Sequence, residues 1–150
     1  MEHRRLKVMI DTNVLLDVMC PDNRPSTETS TAIFRAIKKG VLEGELSTQS
    51  IVDAAYVASR TEGKELLNFK QKVQELRNYI NIGGIDQFSL FAAVQKGTGD
   101  FEDDVQYEHA YDSGCDVLLT NDKEFLKHYA KKEVPIKFLT PEEFLAKLQA

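Results

Sequence analysis

Two rhythms of apolar positions alternate along this chain. Val8, Met9 and Ile10 form an unbroken apolar run that stops at Asp11, and Val117, Leu118 and Leu119 form another that stops at Thr120-Asn121-Asp122. Short runs without polar alternation are strands buried on both faces, as in a parallel sheet. Between them the spacing turns helical. Ala32, Ile33, Ala36 and Ile37 predict a helix from Ser26 or Thr27 to residue 39, ended by Gly40. Leu66, Leu67, Phe69, Val73, Leu76 and Ile80 predict another over 64–79, charged on its outer side.

The remaining segments fill in around these. A helix over 13–19 is broken by the two prolines of Cys20-Pro21-Asp22-Asn23-Arg24-Pro25. Residues 41–47 read as a second strand, Thr48 as the cap of a helix over 50–60, and Gly63 as an interruption. Residues 81–85 form a weak strand with two glycines inside it. Asp86 or Ser89 opens a helix to residue 96, and Gly97-Thr98-Gly99 is a flexible connector. Asp100 caps a helix over 101–112, which Ser113-Gly114 ends. Then come the strand over 116–120, a helix over 123–129, a strand over 134–139, and a last helix opened by Thr140-Pro141-Glu142-Glu143. Strands alternating with helices predict a three-layer α/β/α domain with a central, mainly parallel sheet of about five strands. The pattern runs through all 150 residues as one domain, with no linker and no repeat.

Composition narrows the class. An apolar fraction of 42% suffices for a core at this length. No apolar run approaches membrane-spanning length, and Met1-Glu2-His3-Arg4-Arg5 lacks the apolar stretch of a signal peptide, so a cytoplasmic protein is expected. Cys20 and Cys115 have neither zinc nor redox spacing and read as ordinary thiols. The net charge of −5 argues against a nucleic-acid coat protein. It leaves open an enzyme that reaches nucleic acid through a divalent metal held by clustered acids.

Acids stand where packing alone would not ask for them. Asp11 and Asp122 follow two buried strands. Asp53 is the only charge in the apolar run Ile51-Val52-Asp53-Ala54-Ala55-Tyr56-Val57-Ala58, which predicts a carboxylate with little access to water. Glu102-Asp103-Asp104 opens the helix that leads into the second buried strand. Each acid alone has a structural role open to it: Asp11, Asp100 and Asp122 as caps, Asp53 as a satisfied buried group, Asp103 as a first-turn acid. Together they are placed to converge at the carboxyl edge of a parallel sheet, where such folds bind their ligands. Carboxylates gathered there repel one another, and a hard cation such as Mg²⁺ or Mn²⁺ relieves that repulsion. Such an ion can activate water and clamp the oxygens of an in-line phosphodiester displacement.

The segments Val-Met-Ile-Asp11-Thr-Asn, Asp100-Phe-Glu-Asp103-Asp-Val-Gln and Val-Leu-Leu-Thr120-Asn-Asp122-Lys-Glu-Phe, in this order around the acid at position 53, resemble the PIN domain over essentially the whole chain. The resemblance implies a PilT N-terminus-like fold and Mg²⁺- or Mn²⁺-dependent ribonuclease activity. Many bacterial members are the toxins of toxin–antitoxin pairs, the VapC group, so RNA, an antitoxin protein and a homodimer are the implied partners. Carried over by position, Asp11, Asp53, Asp103 and Asp122 are the catalytic acids, with Asp11, Asp103 and Asp122 as metal ligands. Asn13 and Thr120 orient a carboxylate or a bound water, and Asp100 and Asp104 stand in reserve. The second acid of the family is usually Glu; here it is Asp53, one methylene shorter. Glu43 and Glu45 could compensate only by reaching the pocket.

Other residues carry less. His3, His109 and His128 show no metal-ligand spacing, and Asp17 reads as a solvated acid or an arginine's partner, outside the site. Of Arg24, Arg35, Lys38, Lys39, Arg60, Lys123 and Lys127, Arg24 and Lys123 are the better candidates for RNA contact. A haloacid-dehalogenase-type phosphotransferase would need an acid where Asn13 stands, and a receiver domain places its acids differently. The rival of another class is a degenerate PIN-fold scaffold or binding module without nuclease activity.

Overall fold

The computed structural model describes residues 4–60, 63–96 and 99–150, and of residues 63–65 the backbone alone. In chain order the elements are β1 (Lys7–Ile10), α1 (Thr12–Met19), α2 (Thr27–Lys38), β2 (Glu43–Ser47), α3 (Thr48–Ser59), α4 (Gly63–Leu76), β3 (Asn81–Gly83), α5 (Gln87–Gln95), α6 (Phe101–Asp112), β4 (Val117–Leu119), α7 (Lys123–Ala130), β5 (Lys137–Leu139) and α8 (Pro141–Gln149). The five strands pair in parallel in the order β3-β2-β1-β4-β5. The order reverses at β1, whose neighbour on one side is β2 and on the other β4. Ligands of open α/β sheets sit at such a reversal.

The pleat sends alternate residues of β1 to opposite faces. Val8 and Ile10 enter a core with Leu15, Ile33, Ala54, Phe69 and Phe144, which belong to α1, α2, α3, α4 and α8. Met9 and Leu118 enter a second core with Tyr107, Phe125 and Tyr129 of α6 and α7. That is why the β1 run is apolar throughout: both faces are covered. The register pairs Ile10 with Leu119, so Asp11 and Thr120 emerge side by side at the sheet's carboxyl edge.

Several boundaries differ from the expected ones. Ser47, rather than Thr48, caps α3: its Oγ accepts the Ser50 N–H at 2.9 Å. Gly63 begins α4 instead of interrupting the chain, and the helix ends at Leu76 rather than near 79. β5 covers Lys137–Leu139 alone, shorter than the expected 134–139. Residues 97 and 98 of the expected connector lie outside the described residues. The largest correction concerns α3. Val52 and Tyr56 are 63% and 60% exposed, so the apolar run around Asp53 is not sealed from water.

Candidate active site

Asp11 has both its carboxylate oxygens engaged. It ends β1, caps α1, and is buried. Its Oδ1 accepts the Thr12 N–H and the Gln106 amide, each at 2.9 Å. Its Oδ2 accepts the Thr120 hydroxyl at 2.7 Å and the Asn13 amide at 3.0 Å. Burial pushes the carboxyl up from its ordinary value; the bonds from Thr120, Gln106 and Thr12 pull it back in part, and the Asp122 charge adds to the rise.

Asn13 and Thr120 hold this arrangement from behind. The Asn13 amide also reaches Thr120 Oγ1 at 3.1 Å, and its Oδ1 accepts the Asn121 N–H at 2.8 Å. Thr120, fully buried, further accepts the Asp122 N–H at 3.0 Å. Asp122 caps α7 through Oδ1, which takes the N–H groups of Glu124 and Phe125 at 2.9 and 3.3 Å. The two strand-end motifs are therefore one hydrogen-bonded unit joining adjacent strands.

α6 supplies the facing wall. Asp103, half-buried in its first turn, is pushed up to about 7 by burial and by the charges of Asp100, Asp11, Asp122 and Asp104. Asp100 is exposed and serves as the cap, accepting the Asp103 N–H at 3.2 Å. Asp104 points the other way: it is buried and takes the Tyr129 hydroxyl at 2.5 Å. Of the two, Asp103 lines the cavity and Asp104 does not.

The cavity measures about 580 Å³ and is lined by Asp11, Asn13, Asp53, Glu102, Asp103 and Asp122, with Ser50, Gln106 and His109 among its polar walls. Asp53, half-exposed, holds the Gln49 amide at 2.8 Å. Glu102 lies within hydrogen-bonding reach of it. Burial, then the charges of Asp53, Asp100 and Asp11 and that contact with Asp53, raise the Glu102 carboxyl. Glu43 pairs with Arg5 at 3.0 Å on the surface, and Glu45 is fully buried within β2, and neither lines the cavity.

Three of these wall residues were not among the expected ones. Gln106 and His109 follow Asp103 at successive steps of three, one stripe of a helix, and that spacing is a signal the sequence offered. Ser50 had no comparable signal; its hydroxyl meets Thr12 Oγ1 at 2.8 Å, Ser47 Oγ at 3.0 Å and the Gln106 amide at 2.8 Å. One other expectation changes. Arg24 is committed internally: Nε donates to the buried Asp17 at 2.9 Å and a terminal nitrogen to the Asn13 carbonyl at 2.8 Å. Of the two readings of Asp17 the structure takes the arginine's partner; it also accepts from Ser30 and Asn121 at 2.7 and 2.8 Å. Lys123 stands exposed in the first turn of α7, beside Asp122.

Among the described residues no three acidic, histidine or cysteine side chains stand close enough to enclose an ion between them. Mg²⁺ needs no such cage. It keeps several waters and uses one or two carboxylates. The cavity offers carboxylate and amide or hydroxyl oxygens, the donors a hard cation prefers, and the mutual charge that raises Asp103 is what such an ion removes. The donor set fits.

Parallel sheet, strand-end acids and an acidic cavity at the order reversal define an α/β/α protein with its candidate site at the carboxyl edge of the sheet. The PIN domain profile matches residues 7–124, and the chain belongs to that family. Ribonuclease VapC1 of Aquifex aeolicus is 28% identical over 140 residues, spanning 92% of each chain. Among solved structures, Mycobacterium tuberculosis VapC20, described as a sarcin-ricin loop cleaving toxin, superposes with a TM-score of 0.64 at 10% identity, over 87% of this chain and 98% of that one. PAE2754 of Pyrobaculum aerophilum gives 0.60 at 17% identity over 96% of both, and VapBC2 of Rickettsia felis, bound to a promoter DNA fragment, gives 0.59 at 15% identity over 89% and 97%. These likenesses establish the fold.

Proposed function

We propose that this protein is a Mg²⁺- or Mn²⁺-dependent endoribonuclease that hydrolyses RNA phosphodiester bonds, and that it is the toxin of a toxin–antitoxin pair. The observation that carries the reading is Asp11: a buried carboxylate with both oxygens held, facing Asp103 and Asp122 across one cavity. Rigid placement of acids at a sheet edge has a clear use in metal-assisted hydrolysis. The kinship to Ribonuclease VapC1 supports RNA as the substrate. A structural neighbour from Klebsiella pneumoniae described as a toxin–antitoxin complex, with a TM-score of 0.57 at 16% identity over 87% of this chain and 98% of that one, supports an antitoxin protein as partner. A homodimer and a cytoplasmic setting go with this reading. No helix among the described residues is long and apolar enough to cross a membrane.

In this mechanism Asp11, Asp103 and Asp122 would hold a hydrated cation between them, in part through its waters; when bound it would supply polarisation of the scissile phosphate and activation of water. Thr120, Asn13 and Gln106 keep the Asp11 carboxylate fixed, so little reorganisation is needed as charge develops. Asp53, on the opposite wall, is reached through Gln49 and Glu102 and completes the acidic rim. Lys123 offers a cation to the RNA backbone at the mouth.

Calorimetric titration of Mn²⁺ into the protein and into Asp11→Asn tests the reading, followed by cleavage of single-stranded RNA with Mg²⁺. Binding that the substitution weakens strongly, with RNA cleavage lost in the same variant, is the expected result. Absence of binding and of cleavage, with RNA present, overturns it in favour of a PIN-fold scaffold.

A further inference from the structure

We propose that the ring of Tyr56 is a stacking platform for one unpaired base of the RNA strand, beside the phosphate held at the acidic cavity, and that Arg60 contacts the next phosphate outward. The inference rests on the ribonuclease reading above and gives that site its grip on the strand.

Both residues belong to α3 and its C-terminal cap. Gln49, Asp53, Tyr56 and Arg60 recur at steps of four, three and four, so they form one stripe of the helix. Gln49, Asp53 and Tyr56 line the cavity, and Arg60 is exposed one turn further on. With the rise of an α-helix, Tyr56 stands about 5 Å and Arg60 about 10 Å beyond Asp53 along the axis.

An exposed aromatic side chain says little by itself. Tyr56 differs from its neighbours in where it faces. Val52, equally exposed on the same helix, does not line the cavity, whereas Tyr56 is the one phenylalanine or tyrosine that does. Its ring is also ordered from one side. A terminal nitrogen of Arg60 donates to the Tyr56 hydroxyl at 2.6 Å, and the guanidinium carbon lies 4.9 Å from the ring centroid. Among the described residues Arg60 pairs with no carboxylate, so its charge can serve a phosphate.

The cavity needs such a grip. Its walls carry acids and no lysine or arginine, in a chain of net charge −5. Phosphates brought there meet like charge until a cation is bound. Stacking does not depend on that charge. Every base has a π-face, and aromatic rings with adjoining arginines are how unpaired strands are held. A protein segment laid on Tyr56 would bury Asp53 and Arg60 on either side of the ring, at the cost of desolvating both. A nucleotide instead matches the ring with a base and the arginine with a phosphate.

The test is fluorescence anisotropy with a labelled single-stranded oligoribonucleotide, with Ca²⁺ as the only divalent ion and strand integrity checked on a gel. Tyr56→Leu keeps an apolar side chain and removes the ring. With the parent's melting temperature, it should bind about 5- to 150-fold more weakly, the worth of one stacked base. Tyr56→Phe should bind nearly as the parent does. Abasic residues placed one at a time along the strand should weaken the parent at one position by the factor that Tyr56→Leu loses, and weaken Tyr56→Leu no further there. Arg60→Gln should flatten the slope of log affinity against log salt by about 0.7, the share of one phosphate on a single strand; an unchanged slope overturns the part given to Arg60. Parent-like affinity in Tyr56→Leu, or a loss that no abasic position reproduces, overturns the stacking proposal and leaves the nuclease reading intact. A change in the sedimenting mass of free Tyr56→Leu overturns it too, because the ring is then a contact between subunits. A parent that does not bind the RNA overturns both readings.

Discussion

The side-chain amide of Gln106 on α6 donates to Oδ1 of Asp11 at 2.9 Å and to Oγ of Ser50 at 2.8 Å. One nitrogen thus ties the acid at the end of β1 to the first turn of α3 from the opposite wall. Gln106→Leu keeps the bulk and removes both bonds. Loss of a group that orients a metal-ligating carboxylate lowers metal affinity by about 10- to 100-fold. Leaving buried Asp11 and Ser50 each short of a partner costs about 1–3 kcal/mol. Mn²⁺ calorimetry and urea unfolding measure the two effects. An unchanged Mn²⁺ affinity would mean that Thr120 and Asn13 hold Asp11 unaided.

Neighbouring acids on α6 should separate cleanly. Asp103 faces the cavity, whereas Asp104 receives the Tyr129 hydroxyl between α6 and α7. Asp103→Asn is predicted to weaken Mn²⁺ binding at least tenfold and leave folding intact. Asp104→Leu strands that hydroxyl in an aromatic cluster with Tyr107 and Phe138, at about 1–3 kcal/mol, and spares Mn²⁺ affinity. Paired calorimetry and thermal unfolding decide it; the reverse pattern would reassign the third acid to Asp104.

What the sequence made legible follows from where its signals are local. The strand-end acids were readable because a two-sided strand and its terminal carboxylate are contiguous, and the sheet register then places Asp11 beside Thr120. The Asp103-or-Asp104 ambiguity was not resolvable, because both stand in one helical turn and only the packing of Tyr129 picks the inward one. Asp53 misled for a related reason. An apolar run reads as buried on all sides, yet only Ala54 and Ala58 of α3 enter the core while Val52 and Tyr56 face outward, so the run covers both core and exposed surface. Glu45 and His109 are far apart in sequence and meet only when β2 lies under α6, so no spacing rule could pair them.

Arg24 was an attractive RNA contact because it sits in a proline-bounded loop, but its guanidinium joins Asp17 to the Asn13 carbonyl. Arg24→Ala leaves Asp17 buried with only Ser30 and Asn121 as partners, a loss of about 1–3 kcal/mol for a partly exposed pair. Because the same guanidinium steadies Asn13, RNA cleavage should fall through kcat, with KM little changed. A rise in KM alone would restore Arg24 as a substrate contact.

The cavity acids should make the metal-free protein less stable as pH rises. In the folded protein Asp103 titrates near 7 against an ordinary 3.8, and Asp11 and Glu102 shift in the same direction. A carboxyl whose folded value is raised favours the folded state when protonated. Its contribution is full below about 3.8, is lost as pH climbs toward 7, and is flat beyond. Glu45 acts with the opposite sign: its folded value is depressed below 4.5, so its contribution is present above that pH and is lost in stronger acid. In EDTA the melting temperature should therefore decline from about pH 5 to about pH 8. Asp103→Asn removes most of that slope, so at the alkaline end the variant should melt a few degrees above the parent. Adding Mn²⁺ should reverse the order there, because the ion binds the folded parent and stabilises it by mass action. A parent whose melting temperature is level across this range in EDTA, and equal to that of the variant, would show that Asp103 is an ordinary solvated acid and that the carboxylates do not share one field.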